Sequence, residues 1–287
     1  MGCLEAPYQT PDGYLDSPFM YVSDLNSLTN AASYTSLTQS IDGTPFLLRR
    51  VCGVHNVAGY FQYYNNSQSQ VFSDQAVVST RDSQFGVMPE KYYARDGRIQ
   101  FDLGVVAKAT LSSGDSIAYI GWQGVKRLKG VPLYPEQPKG RWKAQTQAYG
   151  IEIGPINWTS GANPKRFSIN IDQHDFVCFR VTQVETATSG IVSEGEPVVG
   201  LLAYQFYDYT GQRLLSNRPI PDLLCIDTAL PAATGQGAQH NQGVFPVPGI
   251  VFPAGGQILF DAAALRSSTV EDSVQLVFHG FNRISCD

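Results

Sequence analysis

The densest set of side chains able to do chemistry is Asp172-Gln173-His174-Asp175. Two carboxylates and an imidazole this close together can hold a metal ion or share acid and base duties. A matching stretch, Asp42-Gly43-Thr44-Pro45, lacks the histidine and the second aspartate. Asp and Gly both suit a turn that enters a strand, and such a turn accounts for both copies. Asp102 and Asp261, each following an Ile-x-Phe triplet, form a second pair of carboxylates, the residue type that glycosidases use. They fall in different halves of the chain, so strand-ending aspartates that bond backbone amides are the preferred reading. His55, His174, His240 and His279 are far apart, which leaves no local zinc-ligand spacing. The chain has no glycine-rich phosphate loop ending in Gly-Lys-Ser/Thr, no His-Glu-x-x-His and no Gly-x-Ser-x-Gly. The expectation is a non-enzyme with no catalytic residue, metal or cofactor.

Contact residues are the other candidates. Arg50 and Arg180 occupy matching positions in the two halves, as an internal ion pair or an interface contact. Trp122 and Trp158 can stack on a partner or a sugar, or simply fill a β core. Lys139 and Arg141 belong to a local basic cluster with Lys126, Arg127, Lys129 and Lys143, which can dock an acidic surface or be an ordinary solvated linker. Arg50, Arg180, Trp122, Trp158, Lys139 and Arg141 are therefore the interface candidates.

The elements that must position these residues come twice. Ile41-Asp42-Gly43-Thr44-Pro45-Phe46-Leu47-Leu48-Arg49-Arg50-Val51 aligns with Ile171-Asp172-Gln173-His174-Asp175-Phe176-Val177-Cys178-Phe179-Arg180-Val181. Phe61-Gln62-Tyr63-Tyr64-Asn65 aligns with Tyr204-Gln205-Phe206-Tyr207-Asp208, and Gly97 to Asp102 with Gly256 to Asp261. Ile120 to Arg127 aligns with Leu276 to Arg283. Four blocks in one order read as an internal repeat, and a repeat fixes architecture. Short alternating segments separated by Gly, Asn and Pro turns, with no long amphipathic helix, predict an all-β fold of two tandem related β-sandwich (jelly-roll-like) or barrel domains.

The division expected is an N-terminal arm over 1–40, a β domain over 41–128, a proline-punctuated linker over 129–165 and a second β domain over 166–287. The arm allows one short helical turn near Leu25 to Ala32, and Val105 to Ala109 and Ala262 to Arg266 allow others. Asp96-Gly97, Tyr209 to Gln212 and Ala254 to Gly256 read as turns. Charged residues are only 16% of the chain, Tyr and Phe number 15 each, and the net charge is -5. Such a surface suits large permanent interfaces and argues against a nucleic-acid partner. No apolar run approaches a membrane span, and the first residues lack the pattern of a signal peptide. The five cysteines, none in a Cys-x-x-Cys pair, read as buried free thiols, with a bond between chains through Cys3 or Cys286 as the other possibility.

Thr44-Pro45-Phe46-Leu47-Leu48-Arg49-Arg50, the Phe61-Gln62-Tyr63-Tyr64 strand, Tyr207-Asp208-Tyr209-Thr210-Gly211, Phe252 to Asp261 and Phe278 to Arg283 resemble structural proteins of tailed-bacteriophage virions. The resemblance covers most of both repeats but neither the arm nor the linker. It implies a non-enzymatic building block of the head, collar or head–tail connector. Such a block is a homo-oligomer that meets capsid, portal or tail proteins, is made in the host cytoplasm and is carried in the virion. It brings no catalytic residue. The competing readings are a lectin-like host-recognition module, which predicts sugar binding lost on mutating Trp122 or Trp158, and a hydrolase that clusters Asp172, His174 and Asp175 in a cleft.

Overall fold

The computed structural model describes residues 14–24, 35–55, 59–64, 77–79, 84–105, 118–129, 142–187, 202–225, 227–229, 240–241, 249–265, 267 and 272–286. The chain is all-β and forms two compact units, one holding Phe19–Lys129 and the other Gly130–Asp287, with which the described residues 14–18 also group. The N-terminal unit contains β1 (Tyr14–Asp24) from Phe19 onward, β2 (Thr35–Ser40), β3 (Phe46–His55), β4 (Gly59–Tyr64), β5 (Val77–Ser79), β6 (Gln84–Tyr93), β7 (Arg98–Val105) and β8 (Ala118–Lys129). The C-terminal unit contains β9 (Trp142–Ile156), β10 (Lys165–Asn170), β11 (Asp175–Ala187), β12 (Leu202–Phe206), β13 (Ile220–Pro221), the single helical turn α1 (Asp222–Cys225), β14 (Asp227–Ala229), β15 (His240–Asn241), β16 (Ile250–Phe252), β17 (Gln257–Ala264) and β18 (Asp272–Ser285).

In the N-terminal unit one sheet has the order β1-β8-β3-β6 and the other β2-β7-β4-β5. Successive strands cross between the sheets, except at the β4–β5 pair, and the first strand lies beside the last. Eight strands connected in this way make a jelly roll rather than a closed barrel. The C-terminal unit repeats the order: β10-β17-β12-β13 forms one sheet, and β9, β18, β11 and β16 form the other, which β14 and β15 extend to six strands.

The repeat holds at the level of single residue pairs. Leu37↔Phe101 and Ser36↔Asp102 on β2–β7 have Phe167↔Phe260 and Arg166↔Asp261 as counterparts on β10–β17. Phe61↔Leu103 and Gln62↔Asp102 on β4–β7 correspond to Tyr204↔Ala262 and Gln205↔Asp261 on β12–β17. On β3–β8 the register shifts between Leu48 and Arg50, and on β11–β18 it shifts between the matching Cys178 and Arg180. A β-bulge admits one unpaired residue and bends its strand, so a bulge kept in both copies is part of the design. Gly124 and Gly280 lie beside it. A Cβ on either would meet the carbonyl oxygen of Leu47 or Val177 at 2.0 Å and press into the Phe46 or Phe176 ring, so the strand crossing there requires glycine.

Each unit has its own core. Phe19, Tyr21, Phe46, Leu48, Val51, Tyr93, Ile120 and Trp122 from one sheet close on Ile99 and Leu37 from the other. In the C-terminal unit Phe278 of one sheet packs against Phe206 and Phe260 of the other, at 6.2 and 5.7 Å between ring centroids. Full burial of a large apolar side chain contributes roughly 1.5–3 kcal/mol. The alternation that buries Ile258, Phe260 and Ala262 while leaving Gln257 exposed sets the register of β17.

Several expectations are corrected. Residues 14–24 and 35–40 are not a free arm, because β1 and β2 are strands of the N-terminal sandwich. The expected linker contains β9, a strand running beside β18 from Trp142↔Ser285 to Asp272↔Ile156. Pro155, the one proline of β9, is tolerated because β9 ends its sheet order, where a missing N–H costs little. Ala262 to Ala264 continue β17 instead of forming a helical turn. The turn expected near Leu25 to Ala32, and residues 106–109, lie outside the described residues.

Candidate functional site

The Asp172–Asp175 segment is the turn between β10 and β11, and its polar groups hold that turn together. The Asp172 backbone N–H donates to the Tyr149 hydroxyl at 3.3 Å. The Asp175 carboxylate accepts the Ala254 N–H at 3.0 Å and the Arg283 guanidinium at 2.8 Å. Arg283 is nearly buried, so this pair ties the turn to the last strand. Asp172 is exposed and His174 only partly buried. No group of three or more His, Cys, Asp or Glu side chains among the described residues is placed to hold a metal ion.

The matching turn of the N-terminal unit is built differently around the same frame. Asp42 accepts hydrogen bonds from the Tyr21 hydroxyl and from the Lys126 ammonium, the latter at 3.0 Å. Lys126 also lies 3.6 Å above the centre of the Phe19 ring. Burial raises the Asp42 carboxyl, but the hydrogen bonds and the Lys126 charge outweigh it and leave the group below its ordinary range.

Asp261 is the second polar centre. Arg166 grips its carboxylate with two hydrogen bonds, at 2.8 and 3.1 Å, and the Tyr207 hydroxyl donates to it as well. The Arg166 hydrogen bond is the largest influence and, against partial burial, holds Asp261 below the usual carboxylate range. A general acid needs the opposite shift, so this aspartate is built as a fixed anion that braces two strands. Ser36 stands where Arg166 stands in the repeat, so that position carries no guanidinium in the N-terminal unit. The side chain of Asp102 lies outside the described residues.

Arg50 and Arg180 share the position just after the bulge, opposite Gln123 and His279. His279 bonds Thr182 at 2.7 Å; burial first, and the Arg180 charge second, lower its pKa. Trp122 is completely buried, with its N–H donating to Ser23 Oγ at 3.0 Å. Trp158 is 4% exposed and lies beneath the Lys165 ammonium. Both are core residues, which corrects their selection as contact or sugar-stacking side chains. Large aromatics fill β cores because they remove the most apolar area from water. Lys139 and Arg141 lie outside the described residues. The exposed large apolar side chains among the described residues are Tyr92, Phe179 and Leu214, and none of them was singled out by spacing. Phe179 is the bulge residue itself, where Arg49 stands in the first copy.

Cys52 and Cys178 are buried free thiols, each pushed up to about 12 by burial. Cys286 is disulfide-bonded, which corrects the expectation of thiols throughout. No helix among the described residues is long and apolar enough to cross a membrane.

No protein-family model matches the chain. No curated protein matches it. Among solved structures, the chain is similar to the PBSX exported protein XepA at 12% identity, over 90% of this chain and 88% of that one, with a TM-score of 0.21. It is similar to the STIV MCP at 12% identity, over 92% and 96% of the two chains, with a TM-score of 0.21. It is similar to the major capsid protein P2 from bacteriophage PM2 at 7% identity, over 96% and 98%, with a TM-score of 0.23. TM-scores this low carry no argument about role, and the functional reading rests on the strand order and the chain's own residues.

Proposed function

We propose that the protein is a non-enzymatic structural component of a phage virion, assembling symmetrically at the head, collar or head–tail junction with capsid, portal or tail proteins. The observation that supports this reading is the duplicated eight-strand jelly roll whose polar residues are spent on structure. Asp175 holds a turn, Asp261 braces two strands, and Asp42 pairs with Lys126. Jelly rolls are an architecture of viral capsid domains. Low charge and abundant Tyr and Phe suit a surface that neighbours cover in a symmetric assembly.

The test is quantitative mass spectrometry of purified particles from the native source. The expected result is the protein at a fixed copy number per particle, low for an axial or vertex position. A protein found only free in the soluble fraction overturns the reading.

Lectin domains use the same architecture, so a glycan-binding module is the second reading. With Trp122 and Trp158 buried, its stacking residues are the exposed Tyr92 and Phe179. Glycan-array binding abolished by Tyr92→Ala or Phe179→Ala supports it, and an array without signal removes it.

A further inference from the structure

The two units share a backbone, so each shows what the other could carry at a given place, and their charges part at one end. In the N-terminal unit the turn between β2 and β3, the turn between β6 and β7 and the end of β8 meet there. The Ile41 N–H donates to the Gly97 carbonyl at 2.9 Å, the Arg127 N–H to the Pro45 carbonyl at 3.3 Å, and the Lys126 ammonium to Asp42 at 3.0 Å. Phe46 has Tyr93 on one side and Lys126 on the other, and Ser40 stands opposite Arg98. The sequence groups Lys126 and Arg127 with later basic residues. The fold adds Arg95 and Arg98 to them from another turn, against the carboxylates of Asp42 and Asp96.

The repeat does not keep this charge. Ala254, Gly255, Gln257 and Asn282 stand where Arg95, Asp96, Arg98 and Lys126 stand in the first copy. Arg283 matches Arg127, but it is nearly buried and bound by Asp175, a carboxylate at the position of Pro45. Cations therefore outnumber carboxylates at this end of the N-terminal unit and not at the matching end of the other, in a chain whose net charge is -5.

The basic end is open to solvent. The Arg95 and Asp96 side chains are 70% and 73% exposed, so their 3.4 Å ion pair contributes little and exchanges readily for another partner. Arg98 and Arg127 are exposed as well. Tyr92, the most exposed large apolar side chain among the described residues, stands opposite Leu47, immediately before this turn. Arg and Tyr are residue types enriched in interface cores. The sign of the patch selects an anion, and its two exposed carboxylates decide the kind. A nucleic acid presents an unbroken line of phosphates, which Asp42 and Asp96 repel, whereas a polypeptide can place acids at the arginines and neutral groups at the aspartates.

We propose that this end of the N-terminal unit, from Tyr92 through Arg95 and Arg98 to Arg127, docks an acidic segment of a partner polypeptide that sets an apolar side chain against Tyr92. This inference goes beyond the virion reading and does not depend on it.

The test is fluorescence anisotropy of a labelled oligoglutamate with one central phenylalanine, titrated with the full chain at low and at physiological salt. Binding is expected at low salt and weakens as salt screens it. Arg95→Gln combined with Arg98→Gln is expected to raise Kd about five-fold, and Tyr92→Ala about three-fold. Lys165→Gln, which removes an exposed cation from the other unit, is expected to leave Kd unchanged. All these changes are at exposed side chains, and melting temperatures verify that the variants fold. Absence of binding at low salt, or a Kd indifferent to the paired arginine changes, overturns the proposal. A DNA duplex that binds more tightly than the peptide overturns the choice of a polypeptide. Self-association of the chain that Arg98→Glu abolishes overturns it in favour of a second copy.

Discussion

Tyr21 and Tyr149 do the same work in the two units. Each hydroxyl accepts the backbone N–H of the turn aspartate, Asp42 at 3.2 Å and Asp172 at 3.3 Å. Each ring meets the first phenylalanine of the next strand edge-on, Phe46 at 5.0 Å and Phe176 at 4.8 Å. The first strand of each sandwich is thereby pinned to the turn that starts its third. Tyr149→Phe keeps the ring contact and loses the acceptor, and is expected to cost about 1 kcal/mol. Tyr21→Phe also removes the donor to the Asp42 carboxylate and is expected to cost more, about 2 kcal/mol. Urea midpoints of both variants check the order, and a larger loss for Y149F contradicts it.

This relationship explains what was legible. Phe46 to Val51 and Phe176 to Val181 align because both copies need the same buried pattern around the bulge. In the first strands the paired stretches are Phe19-Met20-Tyr21-Val22 and Gln147-Ala148-Tyr149-Gly150, which share only the tyrosine. β1 buries all four of its residues, whereas Ala148 and Gly150 of β9 are exposed. Different burial demands different side chains, so the backbone repeated while the sequence did not, and β1 and β9 read as arm and linker. The contact residues were hidden for a related reason. An aromatic residue has the same letter in a core and at an interface, and only the packing separates Trp122 from Tyr92.

Gly124→Ala and Gly280→Ala are expected to destabilise the chain by about 3 kcal/mol or more each, because the added carbon meets a backbone carbonyl that no rotamer change can move. Gly150→Ala is the control. Its Cβ finds nothing nearer than 3.8 Å, so a change within about 0.5 kcal/mol is expected. Equilibrium unfolding of the three variants decides, and a tolerated G280A argues against the strand crossing at the bulge.

The Arg166 clamp on Asp261 predicts an acid limb in the stability profile. The folded carboxyl ionises more readily than the unfolded one, so the folded chain binds fewer protons. Its stabilisation is complete above the unfolded value and is lost as pH falls through the folded one, below about pH 4. Asp261→Asn is therefore expected to melt lower than the native chain near neutrality and to converge on it in acid. Melting temperatures across that range test this, and a constant gap between the two proteins refutes it.

Thiol chemistry separates the cysteines by environment. Burial raises Cys52 and Cys178 to about 12, far above the pH of a labelling reaction. A maleimide at pH 8 is expected to leave both unmodified in the folded protein and to label both once the chain is unfolded in urea. Cys286 is expected to resist alkylation in urea until a reductant is added. Peptide mapping reads all three, and rapid labelling of native Cys178 contradicts the packing around the bulge.

The position at which the chain can be divided follows from the strand partners. We propose that each unit folds independently, and the two sandwiches then come apart between 130 and 141, after β8 ends at Lys129 and before β9 begins at Trp142. A cut near Gly150, inside the linker expected over 129–165, severs β9. It strips Trp142 to Tyr149 from β18, including the Tyr149 acceptor and the Trp142 ring stacked on Phe281. Fragment 136–287 is expected to unfold cooperatively, with the dispersed amide spectrum of a packed β domain. Fragment 151–287 is expected to aggregate or remain unfolded, because β18 is left with an uncovered edge over half its length. Equal folding of the two fragments removes β9 from the sandwich. Failure of both removes the independence of the C-terminal unit.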